Sequence, residues 1–285
     1  MFQTTIKNPV SCYGIGVHSG RNVQLTMKPA KAGTGIVFVR TDVTQTSDNF
    51  IEANFLNVSE TSYSTSISNN DSKVFVSTIE HLMAAIWGCN IDNMIIEIDG
   101  PEVPIMDGSS KPFLFMLEFA GAKDLPQKKK ILKINKEVIF TAGDSESIIM
   151  PSDNFRIDLE IEFKSKAIGR QEISYSDRSK FSDEVASART FGFVHELEYM
   201  KSKGLARGAS LSNAIGLDND IILNHDGLRY RDEFVRHKLL DAIGDFSLAS
   251  SNILGAFKCI KPGHALNNNL LRKVFDNPSN YSWEE

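Results

Sequence analysis

The chain contains 285 residues, of which 41% are hydrophobic and 24% are charged, the balance of a globular protein long enough for two domains. Its formal net charge of −5 argues against the strongly basic surface typical of nucleic-acid binding, and the one basic run, 128–130, is typical of a solvated linker. No apolar run approaches the roughly 20 residues that a membrane-spanning helix needs, so we expect no integral membrane segment.

The first 125 residues predict an α+β domain. Clustered or alternating β-forming residues indicate two strands, at 22–27 and 36–40, and a stretch rich in Ser, Thr and Asn at 57–73 reads as a loop or hairpin. Ser77 or Thr78 could cap a helix that runs from Ile79 to about Trp87. The elements that follow are a buried strand, a turn-rich loop and a second helix, at 93–99, 100–110 and 111–121.

The segment 122–130 is the expected domain boundary, because it is polar, charged and interrupted by Pro126. Beyond it, residues 131–285 predict a second α+β domain. Its predicted elements are strands at 131–140 and 155–163, a helix near 180–190, a strand end, short helix and glycine-rich turn over 191–208, a helix at 232–249, a strand at 253–260, a loop at 261–264 and a helix at 265–275.

The two halves share one order of elements: strands, helix, strand, loop, helix. This weak internal duplication predicts an α+β fold of two similar domains, each a β-sheet with helices packed on it. We expect the helices of the two domains to face each other in a β-α-α-β sandwich, with a site at the interface.

The helix predicted at 232–249 carries a polar stripe. His237, Asp241 and Asp245 follow one another at four-residue steps, which places them on one helix face, while apolar residues cover the other. Taken alone, the stripe is best explained as an ordinary surface pair, worth a few tenths of a kcal/mol. The sharper hypothesis is that His237 and Asp241 bind one metal ion, with Asp245 behind them.

A third ligand is available at the start of the first-domain helix, where Glu80 precedes His81. If the helices face each other, His81, His237 and Asp241 offer two imidazoles and one carboxylate, the ligand set of a catalytic zinc ion. Glu80 would then accept a proton from the attacking water as general base. A Glu-His pair by itself is weak evidence, because a histidine near a helix start is more often a surface residue.

His264 follows a predicted core strand in the loop 261–264, where a turn would present it to solvent or to a site. As an imidazolium it could stabilise an oxyanion and protonate a departing amine. Asp245 could pair with His264 and keep it charged. An ordinary salt bridge of Asp245 with another neighbour remains an equal alternative.

Six segments together resemble UDP-3-O-acyl-N-acetylglucosamine deacetylases, the zinc amidases of lipid A biosynthesis in Gram-negative bacteria. They occur in the family's order over nearly the whole chain: GIGVHSG at 14–20, TIEHLMAA at 78–85, PEVPIMDGSS at 101–110, ARTFGF at 188–193, DGLRYRDEFVRHKLLDAIGD at 226–245 and GHALNN at 263–268.

The resemblance implies the same zinc ligands and the same general base, Glu80, and it pairs His264 with Asp245. It also implies that the Thr190 hydroxyl helps to bind the carbonyl oxygen of the tetrahedral intermediate. Lys238 matches a lysine near the sugar and diphosphate of the substrate. Lys238 and Thr190 would not stand out from the residues alone.

The segment 189–220 resembles the family's strand-helix-strand insert, which forms an apolar passage for the acyl chain. Its length favours a passage, since no counterpart is expected after the corresponding strand of the first domain. The residues expected to line it are Phe191, Phe193, Leu197, Leu205 and Ala214, although these aromatic residues could equally be core.

Three positions depart from the family pattern or suit it loosely. Glu196 stands where the family often has Asp, and Ser145 replaces a lysine associated with diphosphate contact. Lys261 could share the phosphate load instead. In the glycine-rich segment, the strand-turn-helix spacing and the Lys-Ser/Thr ending of a phosphate-binding loop are missing, and His18 is expected to be structural or at the edge of the substrate.

The implied function is zinc-dependent hydrolysis of the 2-acetamido group of UDP-3-O-(3-hydroxyacyl)-N-acetylglucosamine, with one zinc ion per chain; iron(II) would also suit the ligands. Two alternatives are a zinc amidase for another N-acyl sugar and a non-catalytic nucleotide-sugar binding protein. The absence of a signal segment and three sparse cysteines without a CxxC pair predict a cytoplasmic protein, which we expect to be a monomer.

Overall fold

The computed structural model describes residues 1–43, 49–69 and 73–285. The strands and helices of the first half are β1 Phe2–Ile6, β2 Val10–Ile15, β3 Asn22–Pro29, β4 Ile36–Arg40, β5 Phe50–Glu52, β6 Val58–Glu60, β7 Ser66–Ser68, β8 Phe75–Val76, α1 Glu80–Gly88, β9 Met94–Ile98 and α2 Lys111–Ala120.

The first half contains a five-stranded sheet in the order β2-β3-β9-β4-β5. Only the β4–β9 pair is parallel; the other neighbours are antiparallel. In β3 the side chains of Val23, Leu25 and Met27 are buried while their neighbours are more exposed. The sheet therefore has one core face, as the alternation of apolar residues requires.

The second half has more elements. They are β10 Ala122–Lys128, β11 Ile131–Ile134, β12 Val138–Ala142, β13 Ser145–Met150, β14 Arg156–Glu162, β15 Arg170–Tyr175, α3 Phe181–Glu184, β16 Phe191–Phe193, α4 Val194–Ser202, β17 Ile215–Asp218, β18 Ile221–Ile222, α5 Glu233–Phe246, β19 Asn252–Leu254, β20 Ala256–Ile260, α6 His264–Phe275 and β21 Tyr281–Glu284.

The sheet of the second half repeats that of the first. Its order is β12-β13-β20-β14-β15, and again only the pair between the third and fourth strands, β14 with β20, is parallel. In each half one helix precedes the last strand of this sheet in the chain and another follows it: α1 and α2 flank β9, and α5 and α6 flank β20. The predicted α+β duplication is confirmed.

Each half also carries a small three-stranded sheet, which lies in the chain between β5 and α1 in the first half and between β15 and α5 in the second. In the first half this is β6-β7-β8, and in the second it is β16-β17-β18 with α4 attached. The expectation that the insert has no counterpart in the first half is therefore wrong: the counterpart exists but is shorter and contains no α-helix in its described residues.

Helices α1, α2, α5 and α6 pack on one another and on the two large sheets, whereas α4 packs on the small sheet of the second half. Helix α5 packs on β14 and β15, α6 on β12 and β13, and α1 packs directly against α5. This is the predicted β-α-α-β sandwich. None of the described helices combines the length and apolarity needed to cross a membrane.

The chain between the halves is not a free linker. Residues 122–128 form β10, which pairs antiparallel with β1, and β11 lies between β19 and β21. The pairing of β1 with β10 thus joins the start of the chain to the segment between the two halves. The division into domains at 1–125 and 131–285 stays a prediction.

Several predicted element ends need correction. Neither Ser77 nor Thr78 caps α1: Ile79 occupies the N-cap position without a side-chain hydrogen bond, and the Thr78 hydroxyl donates to Glu102 instead. His264 is not in a loop but is the first residue of α6.

The lengths of other predicted elements also change. The strand predicted at 131–140 is two strands, β11 and β12. The helix predicted near 180–190 is only the four-residue α3, and the helix predicted to reach residue 249 ends as α5 at Phe246, followed by a 3₁₀ turn at 247–249.

We predict that Gly244→Ala destabilises the fold, because a Cβ at Gly244 would lie 2.1 Å from the backbone oxygen of Glu80 in α1. Overpacking of this kind costs about 1–3 kcal/mol. Chemical denaturation should show this loss in the free energy of unfolding. Gly192→Ala is the control, because nothing lies within 4 Å of a Cβ there; equal effects of the two changes would contradict the account.

Candidate active site

Six polar or charged side chains are buried where α1, α5 and α6 meet. Each is at most 9% exposed, and together they form the candidate site: Glu80, His81, His237, Asp241, Asp245 and His264. A cavity of about 610 Å³ reaches five of them and runs on between the insert and the loop around His18. Buried polar groups at the end of a cavity are the usual arrangement of a binding or catalytic site.

Three of these side chains converge on one point. The Nε2 atoms of His81 and His237 lie 3.5 Å and 3.3 Å from Oδ1 of Asp241, and the candidate ligand atoms of all three lie within 4.8 Å of one another. The imidazole rings meet edge to face, with centroids 5.0 Å apart. The predicted polar stripe is therefore buried and faces α1, so the surface-pair interpretation is wrong.

The donor set fits a divalent metal ion. Among the described residues, Asp241 Oδ1 is buried without a hydrogen-bond partner, which is costly unless another group satisfies it. Nδ1 of His237 lies 3.1 Å from the backbone oxygen of Ala188, so Nδ1 carries the proton and Nε2 keeps its lone pair. Two nitrogens and one carboxylate oxygen are the ligands that catalytic zinc takes.

Protonation states support the same conclusion. Burial lowers the pKa of His237 to about 3, so its ring is neutral at ordinary pH, the form that binds metal. Burial acts to raise the pKa of Asp241, but its polar neighbours, among them the Lys238 ammonium, outweigh it and hold the pKa well below its ordinary value. Lys238 Nζ donates to Asp241 Oδ2 at 2.9 Å.

The Glu80 carboxylate lies beside the triad without joining it. Its Oε2 accepts a hydrogen bond from the backbone N–H of Thr65 at 3.0 Å, and its Oε1 lies 3.8 Å from Nε2 of His264. Burial raises the pKa of Glu80. A carboxylate with a raised pKa is suited to accept and return a proton near neutral pH.

His264 and Asp245 form a buried pair. Nδ1 of His264 donates to Asp245 Oδ2 at 2.9 Å, and Asn267 Nδ2 donates to the same oxygen at 2.9 Å. Burial alone would lower the pKa of His264, but the carboxylates of Asp245 and Glu80 outweigh it and raise the pKa to about 9. His264 is therefore an imidazolium at neutral pH.

Thr190 lines the cavity on a segment that a buried ion pair fixes. Arg189 donates to Glu233 at 2.9 Å through Nε, and its backbone N–H donates to the same carboxylate oxygen. The Thr190 N–H donates to the oxygen of Gly108 at 2.8 Å. A Cβ at Gly108 would lie 2.1 Å from the oxygen of Asn213, so only glycine allows this close approach.

The cavity wall contains some, not all, of the predicted lining residues. Phe191, Leu197 and Ala214 line it as predicted, and Lys238 and Glu196 line it as well. Phe193 and Leu205 are not among the lining residues; the Phe193 ring packs on Phe163 and His195. Further apolar residues line it: Val194, Met200, Leu211 and Ile215 of the insert, and Leu223 directly after β18.

Lys261 lies outside the cavity lining. Its ammonium contacts two carboxylates, Asp144 and Glu162, at 2.8 Å each. Ser145, next to Asp144, is the first residue of β13. A phosphate group would have to compete with these two carboxylates for Lys261.

Backbone N–H groups of the glycine-rich segment 14–20 donate to a carboxylate of the protein itself. Glu102 accepts hydrogen bonds from the backbone N–H groups of His18 and Ser19 at 2.7 Å each. A Cβ at Gly16 would lie 2.2 Å from the same carboxylate. His18 lines the cavity, and whether its role is structural or at the edge of a substrate stays a prediction.

Several residues that contact the site or line its cavity were not identified from the sequence. Thr65 and Tyr63 come from the stretch that read as a loop or hairpin, and Asn267 and Ser110 lie inside quoted motifs without an evident role. Ser110 donates to the backbone oxygen of His81 at 2.7 Å. Small polar residues give little signal, because most of them lie at the surface.

Comparison with known proteins gives one consistent result. The family model for UDP-3-O-acyl N-acetylglycosamine deacetylase matches residues 3–276. The UDP-3-O-acyl-N-acetylglucosamine deacetylase of Chromobacterium violaceum is 45% identical, over 100% of this chain and 93% of its own length. The enzymes of that name from Geotalea uraniireducens and Cellvibrio japonicus are 46% and 45% identical, over 100% and 99% of this chain and 92% of their own lengths.

We predict that Asp245→Asn lowers the pKa of His264. The change removes the largest effect that opposes burial, and one neighbouring opposite charge contributes about 1 to 3 pH units. NMR titration of the imidazole in metal-free protein should show the wild-type pKa near 9 and a lower value in the variant. Asp144→Asn, at an exposed carboxylate, should leave His264 unchanged; an unchanged pKa in Asp245→Asn would contradict the pairing.

Proposed function

Because the chain belongs to the UDP-3-O-acyl N-acetylglycosamine deacetylase family, we propose that it hydrolyses the 2-acetamido group of UDP-3-O-(3-hydroxyacyl)-N-acetylglucosamine. The products are acetate and the UDP-linked 3-O-acylglucosamine, in a step of lipid A biosynthesis. The single observation that carries this proposal is the buried group of His81, His237 and Asp241, with Glu80 and His264 beside it, at the end of an apolar cavity.

His81, His237 and Asp241 would hold one zinc ion, and iron(II) would also suit them. When bound, such an ion lowers the pKa of water and polarises a carbonyl oxygen. Lys238 supports the set by its hydrogen bond to the second oxygen of Asp241. That bond leaves Oδ1 of Asp241 free to face the two imidazoles.

Glu80 is proposed as the general base. It accepts the proton of the water that attacks the acetamide carbon, and its raised pKa keeps that proton available for the next step. When the C–N bond breaks, the electron pair stays on nitrogen, which must receive a proton to leave as the amine. Glu80 or His264 delivers it; the two residues lie within 3.8 Å of each other.

His264 is proposed to stabilise the negative charge that develops on the carbonyl oxygen. Its imidazolium form is favoured by Asp245, which binds Nδ1 and directs Nε2 towards Glu80. The Thr190 hydroxyl, which also lines the cavity, would add a neutral donor.

We propose that the cavity binds an acylated nucleotide sugar. Its insert wall is apolar and would take the acyl chain, whereas Lys238 stands near the reacting groups and would contact the sugar or diphosphate. Phe191 joins the two regions, because its ring packs on Phe234 and lies 5.7 Å from the Lys238 ammonium. All of these groups come from one chain, and we propose that the monomer is active.

Two other functions are weaker candidates. A zinc amidase for a different N-acyl sugar would have no need of the apolar insert wall. A non-catalytic nucleotide-sugar binding protein would have no need of Glu80 at the triad, since that carboxylate is buried at a free-energy cost.

We predict that Glu80→Gln lowers kcat for acetate release by about 10²- to 10⁴-fold, because a glutamine cannot accept the proton. The assay uses UDP-3-O-(3-hydroxyacyl)-N-acetylglucosamine and zinc-loaded protein. Chelator-treated protein and His237→Ala should also be inactive, and zinc should restore only the former. Glu118→Gln, at an exposed helix position, is the matched control and should keep wild-type activity.

Equal acetate release in all samples would contradict both the metal site and the role of Glu80. If folded, zinc-loaded wild type released none but bound the substrate, the binding-protein function would be favoured. Release from N-acetylglucosamine derivatives without the acyl chain, at the same kcat/KM, would favour an amidase with a different substrate.

A further inference from the structure

Thr65 lies beside the candidate site and is hydrogen-bonded to two of its carboxylates. It directly precedes β7 in the small sheet of the first half, and its side chain is 1% exposed. A buried threonine in a β-region is usually explained by packing alone. Its contacts show more than packing.

Thr65 contacts both of the carboxylates that flank His264. Its backbone N–H donates to Glu80 Oε2 at 3.0 Å, and its hydroxyl donates to Asp245 Oδ1 at 2.6 Å. Its backbone oxygen accepts a hydrogen bond from the N–H of Ile79, directly before α1, at 3.2 Å. The residue is thus fixed to the start of α1 and reaches across to α5.

The hydroxyl of Thr65 supplies the hydrogen-bond donor for the second oxygen of Asp245. The other oxygen, Oδ2, already accepts hydrogen bonds from His264 and Asn267. With Thr65 on Oδ1, both oxygens of this buried carboxylate have donors, which fixes its rotation about the Cβ–Cγ bond. The direction in which His264 points depends on that rotation.

We propose that Thr65 is a positioning residue that sets Glu80 and His264 at their working separation. Thr65 positions both groups. Its backbone N–H binds Glu80 directly, and its hydroxyl binds Asp245, which in turn binds His264. Rigid support of this kind matters because an error of about 1 Å in the placement of a reacting group can cost about 10²-fold in rate. The inference rests on the proposed roles of Glu80 and His264.

The proposal assigns the effect to the hydroxyl and not to the volume of the side chain. Valine has nearly the shape of threonine but no donor, so Thr65→Val would leave Asp245 Oδ1 buried without a partner. Serine keeps the donor and loses only a methyl group. If Thr65 had only a structural role, Thr65→Val and Thr65→Ser would have the same effect on the kcat of the folded protein.

The test compares Thr65→Val and Thr65→Ser with the wild type, all zinc-loaded, by acetate release. We expect Thr65→Val to lower kcat by about 10- to 100-fold, as is typical when a supporting hydrogen bond is removed, with KM and zinc content unchanged. Thr65→Ser should keep most of the wild-type kcat. If Thr65→Val does not fold, Thr65→Ala carries the same expectation.

The matched control is Thr5→Val. Thr5 is a buried threonine, 2% exposed, whose hydroxyl accepts a hydrogen bond from the backbone of Ala30, away from the site. The Thr5→Val change should lower the melting temperature and leave kcat unchanged. Wild-type kcat in Thr65→Val, or an equal loss in Thr65→Ser, would overturn the role of Thr65 while leaving the proposed function in place. An inactive wild type would instead overturn the proposed function, and this inference with it.

Discussion

The close packing of α1 against α5 is the constraint on which the site depends. Gly244 allows the backbone of α5 to approach Glu80 so closely that any side chain at that position would collide with it. This approach brings His81 of one helix within reach of His237 and Asp241 of the other. Because the two helices come from the two repeated halves, neither half contains the triad by itself.

The same packing buries ionisable side chains, and the neighbours of each side chain determine whether it is charged or neutral. Two histidines illustrate this: burial lowers the pKa of His237 to about 3, whereas the carboxylate of Asp245 helps to raise that of His264 to about 9. One ring is therefore neutral and can bind a metal, and the other is a cation that can stabilise negative charge. Environment, not residue type, assigns the two roles.

The sequence predicted the fold class because both halves repeat the same order of elements, and it brought together the six polar residues of the site. It was wrong about the start of α6, where His264 is buried in the first turn. It did not identify Thr65, because a threonine in a stretch rich in Ser, Thr and Asn has no periodicity to mark it as buried. The phosphate contact of Lys261 stays a prediction, and its ammonium contacts Asp144 and Glu162 in this structure.

The central claim is that His81, His237 and Asp241 bind one metal ion across the two halves. Crystals of the zinc-loaded protein, measured on both sides of the zinc absorption edge, test this directly. The account predicts one anomalous peak at about 2.0–2.2 Å from the two Nε2 atoms and an Asp241 oxygen. A peak at other residues, or none in protein shown to contain zinc, would contradict it.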